Sequence, residues 1–522
     1  MSTAEKLLAS FRFGPEVLPR QEEALNVMMV TEGTYPYHAG GVGTWCQALI
    51  ERLPEVSFDL LCIESNANVS AVYYVPGNVG SITLIPQWQG RDHEISELGQ
   101  TQFATRWMRT SSRSIRNELS PLMRKFFYQV IRGCPDPAMF SRTLLALNRY
   151  WQKRDYRRSF RNRAIWDIYR KAVSDSSWTD NPSEKQLAYG LMLIQNLFSA
   201  IAVKTKPAHI SHCTAASFCS LPAIIAKEEN GTPIVLSEHG VYLRERLLGI
   251  KSLQNVAFIR RLYYLIIMTV VRASYHHADR ILPVCDFNSK WEEHLGAERR
   301  KIRTIYNGVE SRIFSPGLPE RPAKAAPTIV SLARIDPLKD IETLIKAASL
   351  IKEKVPDVRV KLYGGVWDEE YHGKCMALHK KLDLGRNFEF AGHTRSPEAC
   401  YLEGDLVVLS SISEAFPYAV VEAMMCRRAV VATDVGGVRE ALEGCGMIIE
   451  PRQPQALADA CLRLLGDKSL REGLARKAMI RARSKFTVEE MVGNYLKMYS
   501  ELAGISFSAL PARSGEEAVV PA

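Results

Sequence analysis

Residues 405–424, DLVVLSSISEAFPYAVVEAM, hold the pattern that decides the fold. The apolar run Leu406–Leu409 predicts a buried parallel strand, and the serines that follow it predict a loop. Pro417 fits the first turn of a helix, where its missing N–H is not needed, so a helix is expected to begin just after it. This geometry puts Glu414 on the loop and Glu422 about one turn into the helix.

The start of this helix suits a nucleotide sugar. Its free N–H groups would point at a diphosphate, and the helix dipole favours the negative charge. Glu414 can accept hydrogen bonds from sugar hydroxyls, and Glu422 can accept them from the two ribose hydroxyls, as acidic residues do in dinucleotide-binding folds. Two glutamates at this spacing fit an ordinary unit with solvated carboxylates equally well. The available amides are those of Ala415, Phe416, Tyr418, Ala419 and Val420.

Residues 413–424 resemble the Glu-x7-Glu signature of retaining GT-B glycosyltransferases of family 4. The match includes the aromatic Phe416 and the closing Glu-Ala-Met. The resemblance implies an α/β fold of two Rossmann-like domains that face each other across a cleft, with the donor bound mainly by the second. It also implies a reaction that needs neither metal nor cofactor and retains the anomeric configuration, with Glu414 on the sugar and Glu422 on the ribose.

Length and composition agree with a two-domain globular protein. A chain of 522 residues is too long for one core, and its 46% hydrophobic and 24% charged residues are typical of a soluble protein. Strand–helix alternation, a proline-rich interval and the family resemblance predict five parts. They are a first domain at 1–314, a linker at 315–327, a second domain at 328–484, a helix at 485–504 that crosses back to the first domain, and a disordered tail at 505–522.

Cysteine usage and the absence of a signal pattern predict a cytoplasmic protein. The eleven cysteines are scattered without a Cys-x-x-Cys pair or a zinc-like cluster, which fits a reducing compartment and predicts no metal site. The apolar run 262–271 is too short for a bilayer, which needs about 20 residues. A buried core helix is the favoured interpretation of this run, and a helix with an interfacial face is the alternative.

A long basic segment interrupts the first domain. Residues 87–200 form a helical insertion by pattern, and residues 106–171 carry 17 Lys or Arg against four Asp or Glu. Nucleic acid, an anionic membrane surface or an acidic partner each fit such a block. A solvated helical insertion is the favoured interpretation.

Two features of the first domain are candidate ligand contacts. Gly41 and Gly43 lie in a glycine-rich loop after the first strand, where the backbone can approach a ligand closely, although the pattern alone is weak. The loop resembles the Gly-Gly-Val-Gly loop that the family places against the donor diphosphate and the acceptor. His239 follows a strand; a lone histidine is more often structural, but its context resembles the family's histidine beside the transferred sugar. The charged residues 242–246 fit two interpretations. They line the acceptor side of the binding site, or they begin a helix and their charges are solvated.

Two cations precede a helix in the second domain. Arg334 and Lys339 face one helix start across a proline turn, although a charged loop is the usual interpretation of such a pattern. The segment resembles Gly-Arg-x-x-Pro-x-Lys-Gly in the family, with Ala333 and Asp340 in place of the glycines. The resemblance implies that both cations stabilise the departing diphosphate.

The remaining residues of interest are two further candidate nucleotide contacts and several residues with structural roles. Gly364 ends a strand where the nucleotide would lie, and His393 is expected to contact the base. The glycines of the 433–440 turn are interpreted as structural, and Asp286 is interpreted as a helix cap. Residues 302–314 resemble the family's hinge, with Tyr306 in place of the usual proline.

The insertion and residues 237–246 resemble more narrowly the cytoplasmic glycosyltransferases of bacterial Pel exopolysaccharide synthesis. This implies a UDP-sugar donor, UDP-glucose or a UDP-N-acetylhexosamine, and a growing polysaccharide as acceptor. It also implies inner-membrane Pel proteins as partners, peripheral contact with the inner membrane, and no nucleic acid. Two alternatives are another GT-B enzyme, such as a phosphorylase or epimerase, and a catalytically silent subunit that senses a nucleotide sugar.

Overall fold

The structure is a computed structural model that describes residues 25–88, 99–176, 178, 181–249, 256–314 and 326–505. Most of the expected linker and nearly all of the expected tail lie outside these residues. So do residues 89–98, 177 and 179–180 of the insertion.

Two parallel six-stranded sheets organise the described residues. Strand order is β3-β2-β1-β4-β5-β6 in the first sheet and β12-β11-β10-β7-β8-β9 in the second. Both sheets have the reversed strand order of doubly wound α/β domains, as the alternating pattern predicts. The strands are β1 Leu25–Glu32, β2 Val56–Glu64, β3 Val79–Pro86, β4 Ile210–Cys213, β5 Ile234–Glu238, β6 Arg280–Pro283, β7 Thr328–Leu332, β8 Arg359–Tyr363, β9 Phe388–Gly392, β10 Leu406–Leu409, β11 Ala429–Thr433 and β12 Met447–Ile449.

Helices cover both faces of each sheet, as parallel strands require. Those of the first domain are Gly41–Glu51, Gln100–Arg109, Ser112–Ser114, Ser120–Ile131, Pro137–Trp151, Tyr156–Phe160, Arg163–Ser174, Glu184–Leu197, Ser220–Asn230, Tyr242–Gly249, Ala257–His277, Asp286–His294 and Ser311–Phe314. Those that follow are Ile341–Lys354, Glu369–Lys381, Pro397–Glu403, Tyr418–Met425, Val438–Leu442, Pro454–Gly466, Lys468–Lys485 and Val488–Ala503.

The basic insertion lies between β3 and β4 and forms part of the domain core. Phe126, Phe127 and Leu144 of the insertion are fully or almost fully buried in one cluster with Val30 and Leu61 of the sheet. The segment is a helical insertion with solvated charges, as favoured, but its apolar faces are part of the domain core. The charged residues dominate the composition of this segment, but they lie on the outward faces of helices whose apolar faces cover the sheet.

The apolar run at 262–271 belongs to the helix Ala257–His277. Leu262, Ile266 and Val270 are fully buried in the same core, so the run is a core helix, as favoured. Among the described residues, no helix combines the length and apolar character needed to cross a bilayer.

The helix Val488–Ala503 packs on the opposite face of the first sheet, although the second domain precedes it in the chain. Thr487 caps it by accepting a hydrogen bond from the Glu490 N–H at 3.1 Å. Tyr495 and Tyr499 are fully buried there, beside Val27 and Met29 of β1.

Two contacts join the domains near the hinge. The ring of Tyr306 lies 5.1 Å from that of Phe416 and 5.2 Å from that of Phe486, which accounts for an aromatic residue where the family has proline. The prediction that Asp286 caps its own helix is wrong. The Glu440 carboxylate of the second domain instead accepts the N–H groups of Asp286 and Phe287, both at 2.7 Å. A carboxylate from outside the helix thus performs the capping.

Candidate active site

The candidate site lies where the carboxyl ends of the two sheets meet. An added Cβ at Gly41, in the loop after β1, would lie 3.5 Å from the Tyr418 ring in the loop–helix unit after β10. Arg244, after β5, donates a hydrogen bond from Nη1 to Ser413 Oγ at 2.8 Å. These contacts bring residues from both domains to one cleft, the position at which open α/β sheets bind ligands.

Lys339 and Glu414 are in direct contact. The Lys339 Nζ lies 2.6 Å from Glu414 Oε1, and the two side chains are 18% and 10% exposed. Ser411 Oγ donates to the same carboxylate oxygen at 2.6 Å. The second oxygen of Glu414 takes part in neither contact, so it can accept a hydrogen bond from a sugar hydroxyl.

Backbone geometry fixes the two loops that carry this pair. Ser410 Oγ donates to the Lys339 carbonyl at 2.9 Å, and the Ile412 N–H donates to the Leu338 carbonyl at 2.8 Å. Asp340 has φ +45° and accepts the Thr343 N–H at 3.3 Å as the cap of the next helix. Aspartate tolerates this left-handed conformation better than most residues, which accounts for its place where the family has glycine.

Arg334 lies in the same loop but does not contact the Lys339–Glu414 pair. Its guanidinium stacks over the Trp367 ring at 4.7 Å and lies 3.5 Å from Asp336 Oδ2. The Arg334 side chain is 53% exposed, and Trp367 is 69% exposed. The guanidinium is therefore held in place and accessible to an anion.

The helix Tyr418–Met425 begins with free amides. Among the described residues, none accepts the N–H groups of Ala415, Phe416, Tyr418 or Ala419. The expectation for Val420 is wrong, because its N–H already donates to the Pro417 carbonyl at 3.2 Å in the first helical turn. The Phe416 ring is 4% exposed and packs at the hinge, so this residue has only its backbone to offer a ligand.

Glu422 lies inside this helix with a partner that the sequence pattern did not indicate. Tyr401 donates its hydroxyl to Glu422 Oε2 at 2.7 Å. Burial raises the pKa of the Glu422 carboxyl to about 7, and the tyrosine hydrogen bond only partly offsets that effect. The neutral form of this carboxyl group is therefore favoured relative to that of an exposed glutamate.

His239 follows β5 and has both ring nitrogens buried without a hydrogen-bond partner among the described residues. Its ring packs on Trp45 with 4.5 Å between centroids. Burial lowers the pKa of His239 to about 3, with the nearby Asn307 side chain acting in the opposite direction. A neutral imidazole with unused nitrogens is expected to serve a ligand, because buried polar groups are otherwise paired.

The two glycines of the first-domain loop differ in environment. Gly41 faces Tyr418 across the cleft, whereas an added Cβ at Gly43 would lie 2.7 Å from Tyr73 and 2.9 Å from the His38 carbonyl. Gly43 is thus needed for close packing within its own domain. Tyr73, which the sequence pattern did not single out, holds the loop through its hydroxyl, 3.2 Å from both the N–H and the carbonyl of Gly40.

Gly364 and His393 lie farther along the edge of the second sheet. An added Cβ at Gly364 would collide with the Ala333 carbonyl oxygen, so this glycine lets β8 approach the Arg334 loop. His393 is exposed and follows β9. Three strand spacings separate β9 from β10, about 14 Å. The structure therefore does not bring His393 to Glu414.

Glycines of the next turn support the Glu414 loop from behind. Gly436 has φ +56°, and an added Cβ would collide with the Glu414 carbonyl oxygen. The Gly437 N–H donates to the Ala415 carbonyl at 2.6 Å. These glycines have a structural role, as the sequence pattern indicated. The loop that they hold in position is the one that carries Glu414.

Charge at the site is arranged for an anion flanked by hydroxyl groups. Lys339, Arg334 and the free amides supply positive potential, while Glu414 and Glu422 offer acceptors on either side. Within the described part of the chain, no group of three His, Cys, Asp or Glu side chains could hold a metal ion.

Solved structures share this architecture. Anabaena HepE in complex with UDP aligns with 91% of this chain and 100% of its own, with a TM-score of 0.57 and 14% identity. Sucrose-phosphate synthase of Thermosynechococcus elongatus aligns with 92% and 100%, with a TM-score of 0.58 and 16% identity. At these identities the likeness shows the fold, and it confirms the predicted two-domain GT-B architecture.

Curated relatives match part of the chain. The D-inositol 3-phosphate glycosyltransferase of Corynebacterium urealyticum is 29% identical over 229 residues, 40% of this chain and 54% of the relative. The poly(ribitol-phosphate) alpha-N-acetylglucosaminyltransferase of Staphylococcus aureus is 28% identical over 172 residues, 32% of this chain and 34% of the relative. The chain spans about half the length of the first of these relatives and less of the second.

Fold and site together define a protein of the GT-B class. The model of a domain of unknown function, DUF3492, matches residues 25–300, and that of Glycosyl transferases group 1 matches residues 319–481. The chain belongs to the DUF3492 family, with a glycosyl transferases group 1 domain as its second half.

Proposed function

We propose that this chain is a retaining glycosyltransferase that moves a hexosyl unit from a UDP-sugar to a growing polysaccharide without a metal ion. The observation that carries the proposal is the Lys339–Glu414 pair, whose charged atoms lie 2.6 Å apart. The pair precedes the N-terminus of the helix Tyr418–Met425, where several backbone N–H groups are free within the described part of the chain. One cation, one carboxylate and several unused N–H groups at one point match the charge pattern of a nucleotide sugar at its scissile bond.

The leaving group is the negative partner in this arrangement. When the bond from the anomeric carbon to the diphosphate oxygen breaks, charge develops on the terminal phosphate. Lys339 has three N–H donors and uses one on Glu414, so it can also donate to phosphate. Arg334 adds a second cation, and the amides of Tyr418 and Ala419 add the helix dipole. These groups are fixed before the reaction, so little reorganisation is needed as charge develops.

The remaining contacts follow from the order of the strands. Glu414, after β10, receives the sugar, and the neutral His239 faces it from the first domain. Glu422 accepts from the ribose hydroxyls. The nucleoside then extends past β7 and Gly364 toward His393 at the β9 edge, a direction that the strand order supports.

A narrower role follows from the resemblance of the insertion and residues 237–246 to PelF. We propose UDP-glucose or a UDP-N-acetylhexosamine as donor and a Pel-type exopolysaccharide as acceptor. The protein would then work in the cytoplasm beside inner-membrane proteins of Pel synthesis. The eleven buried free cysteines fit a reducing compartment.

A donor panel tests the proposed reaction. The full chain is incubated with UDP-, GDP- and ADP-sugars and with oligosaccharide acceptors, and nucleotide release and the anomeric configuration of the product are followed by NMR. We expect turnover with a UDP-sugar, a product with the donor's α configuration, and undiminished activity in EDTA. Glu414→Ala is expected to abolish the activity.

Other outcomes would reject the proposal in distinguishable ways. An inverted product would exclude the retaining mechanism. Tight UDP-sugar binding without turnover, across the acceptor panel, would favour the silent sensing subunit. Epimerised donor or phosphate-dependent cleavage of the polymer would identify the other GT-B activities.

A further inference from the structure

A groove outside the catalytic cleft lies between two helices of the basic insertion. Its cavity volume is about 640 Å³. The segment 115–131 and the helix Arg163–Ser174 form its walls and run side by side, since Phe127 packs on Tyr169 and Arg132 reaches the Asp175 carbonyl near their carboxyl ends. The lining residues are Arg116, Ser120, Arg124, Tyr128, Arg132, Ala164, Asp167, Ile168, Lys171, Ala172 and Asp175.

One wall of the groove is a stripe of basic residues. Arg116, Arg124 and Arg132 recur on one helical face, with Ser120 and Tyr128 at the intervening four-residue steps. Among the described residues, neither Arg116 nor Arg124 forms an ion pair, and both are exposed. Their charge is therefore not neutralised within this part of the chain.

The acidic residues of the other wall are already paired. Asp167 lies 3.0 Å from Arg163, and Asp175 lies 3.1 Å from Lys171. The Arg132 guanidinium lies 4.5 Å from the centre of the Tyr128 ring. The groove therefore presents net positive charge along its length.

The floor of the groove is apolar. Ile168 and Ala172 are partly buried and pack against the domain core, and the Tyr128 ring is 45% exposed. The stripe from Arg116 to Arg132 extends about 24 Å, at 1.5 Å per helical residue. These dimensions suit about four turns of a third helix.

We propose that this groove binds an acidic amphipathic α-helix of a partner protein. The helix would place apolar side chains at three- and four-residue spacing on Ile168, Ala172 and Tyr128 and its carboxylates on Arg116 and Arg124, as in other helix-in-groove complexes. A planar anionic bilayer would contact the rims but leave the concave apolar floor unfilled. The inference does not depend on the proposed reaction.

A designed peptide tests this assignment. The probe is a fluorescent acidic peptide of about 18 residues with leucines on one helical face, and its control is a scrambled peptide of the same composition. Binding to the full chain is measured by anisotropy. We expect the amphipathic peptide to bind and the double variant Arg116→Glu/Arg124→Glu to bind it at least about tenfold more weakly, since truncated or reversed interfacial charges cost this much or more.

Matched controls keep the test specific. Lys125→Glu/Arg142→Glu makes the same charge change on exposed residues of the insertion that do not line the groove, and it is expected to leave peptide binding intact. Both double variants should retain the donor turnover of the parent protein. Equal binding of the scrambled peptide, or equal losses in both double variants, would overturn the proposal. So would binding of phosphatidylglycerol vesicles through Arg116 and Arg124 with no peptide binding, which would assign the groove to a membrane surface.

Discussion

The ammonium nitrogen of Lys339 lies 2.6 Å from Glu414 Oε1, although 75 positions separate the two residues. Two loops after adjacent strands, β7 and β10, bring them together. The pair gives each side chain a charged partner in the unliganded protein, so neither charge is left unpaired in a largely buried place. A bound diphosphate would then meet a lysine whose position is already fixed.

Lys339→Ala is expected to lower kcat by about 10²- to 10³-fold with a smaller change in the donor KM, because the lost charge acts most on the departing diphosphate. Steady-state kinetics with the donor found in the panel measure the effect. Lys346→Ala removes an exposed lysine from the following helix and should leave both constants unchanged. An unchanged kcat in Lys339→Ala would remove Lys339 from the reaction.

The buried carboxyl of Glu422 predicts a specific pH dependence of stability. Its folded pKa of about 7 lies above the ordinary value of 4.5, so between these pH values the folded protein holds a proton that the unfolded chain releases. The contribution to stability is therefore fully present below pH 4.5 and is lost as pH rises through 7. Thermal unfolding should show a larger fall in Tm from pH 5.5 to pH 8 for the parent protein than for Glu422→Gln.

The control for this measurement is Glu389→Gln, which changes an exposed glutamate of β9. It should keep the pH dependence of the parent protein. If Glu422→Gln and the parent protein lose the same Tm over this interval, Glu422 does not titrate there.

Gly436→Ala is expected to reduce turnover through the Glu414 loop. The new Cβ would collide with the Glu414 carbonyl oxygen and would also strain a backbone with φ +56°. Gly444→Ala is the matched control, because its φ is +70° but no atom lies within 4 Å of the added Cβ. Left-handed strain costs each variant about 1–2 kcal/mol, and the collision adds to that cost in Gly436→Ala, so Tm should fall in both variants and further in Gly436→Ala. A kcat loss confined to Gly436→Ala measures the displacement of the loop, and equal kcat values would contradict it.

Glu440→Ala is expected to weaken the contact between the domains. It removes the acceptor of the Asp286 and Phe287 N–H groups, a loss of about 1–2 kcal/mol for a capping residue. Hydrogen exchange should become faster at these two amides. Glu443→Ala, which removes a largely exposed partner of Arg481, should leave exchange at the two amides as in the parent protein. Unchanged exchange in Glu440→Ala would show that the cap does not hold the helix start.

Local patterns predicted the strands and the loops that carry Glu414 and Lys339. A buried parallel strand is a continuous apolar run, and its carboxyl end is where ligands bind in this type of sheet, so position along the chain indicates position in the cleft. The same reasoning placed the helix start at Tyr418, where the structure has it.

Local patterns could not predict side-chain contacts between residues that are far apart in the sequence. Glu440 caps a helix 154 positions earlier in the chain, and Tyr401 binds Glu422 from a neighbouring helix. Nothing in the local spacing of these residues indicates either contact. In the insertion, the charge composition predicted the solvated faces, but it did not indicate that the apolar faces, which include Phe126, pack in the core of the first domain.

The return of the helix Val488–Ala503 to the first domain determines how the protein can be divided. Tyr495 lies 2.9 Å from Ser237 Oγ, and Tyr499 lies 2.5 Å from His212 Nδ1. A recombinant fragment that stops at Phe314 would lose both tyrosine partners, which would leave His212 Nδ1 without this hydrogen bond and one face of the sheet uncovered. An isolated first domain therefore requires two discontinuous pieces of chain, joined by an artificial connection in place of the second domain.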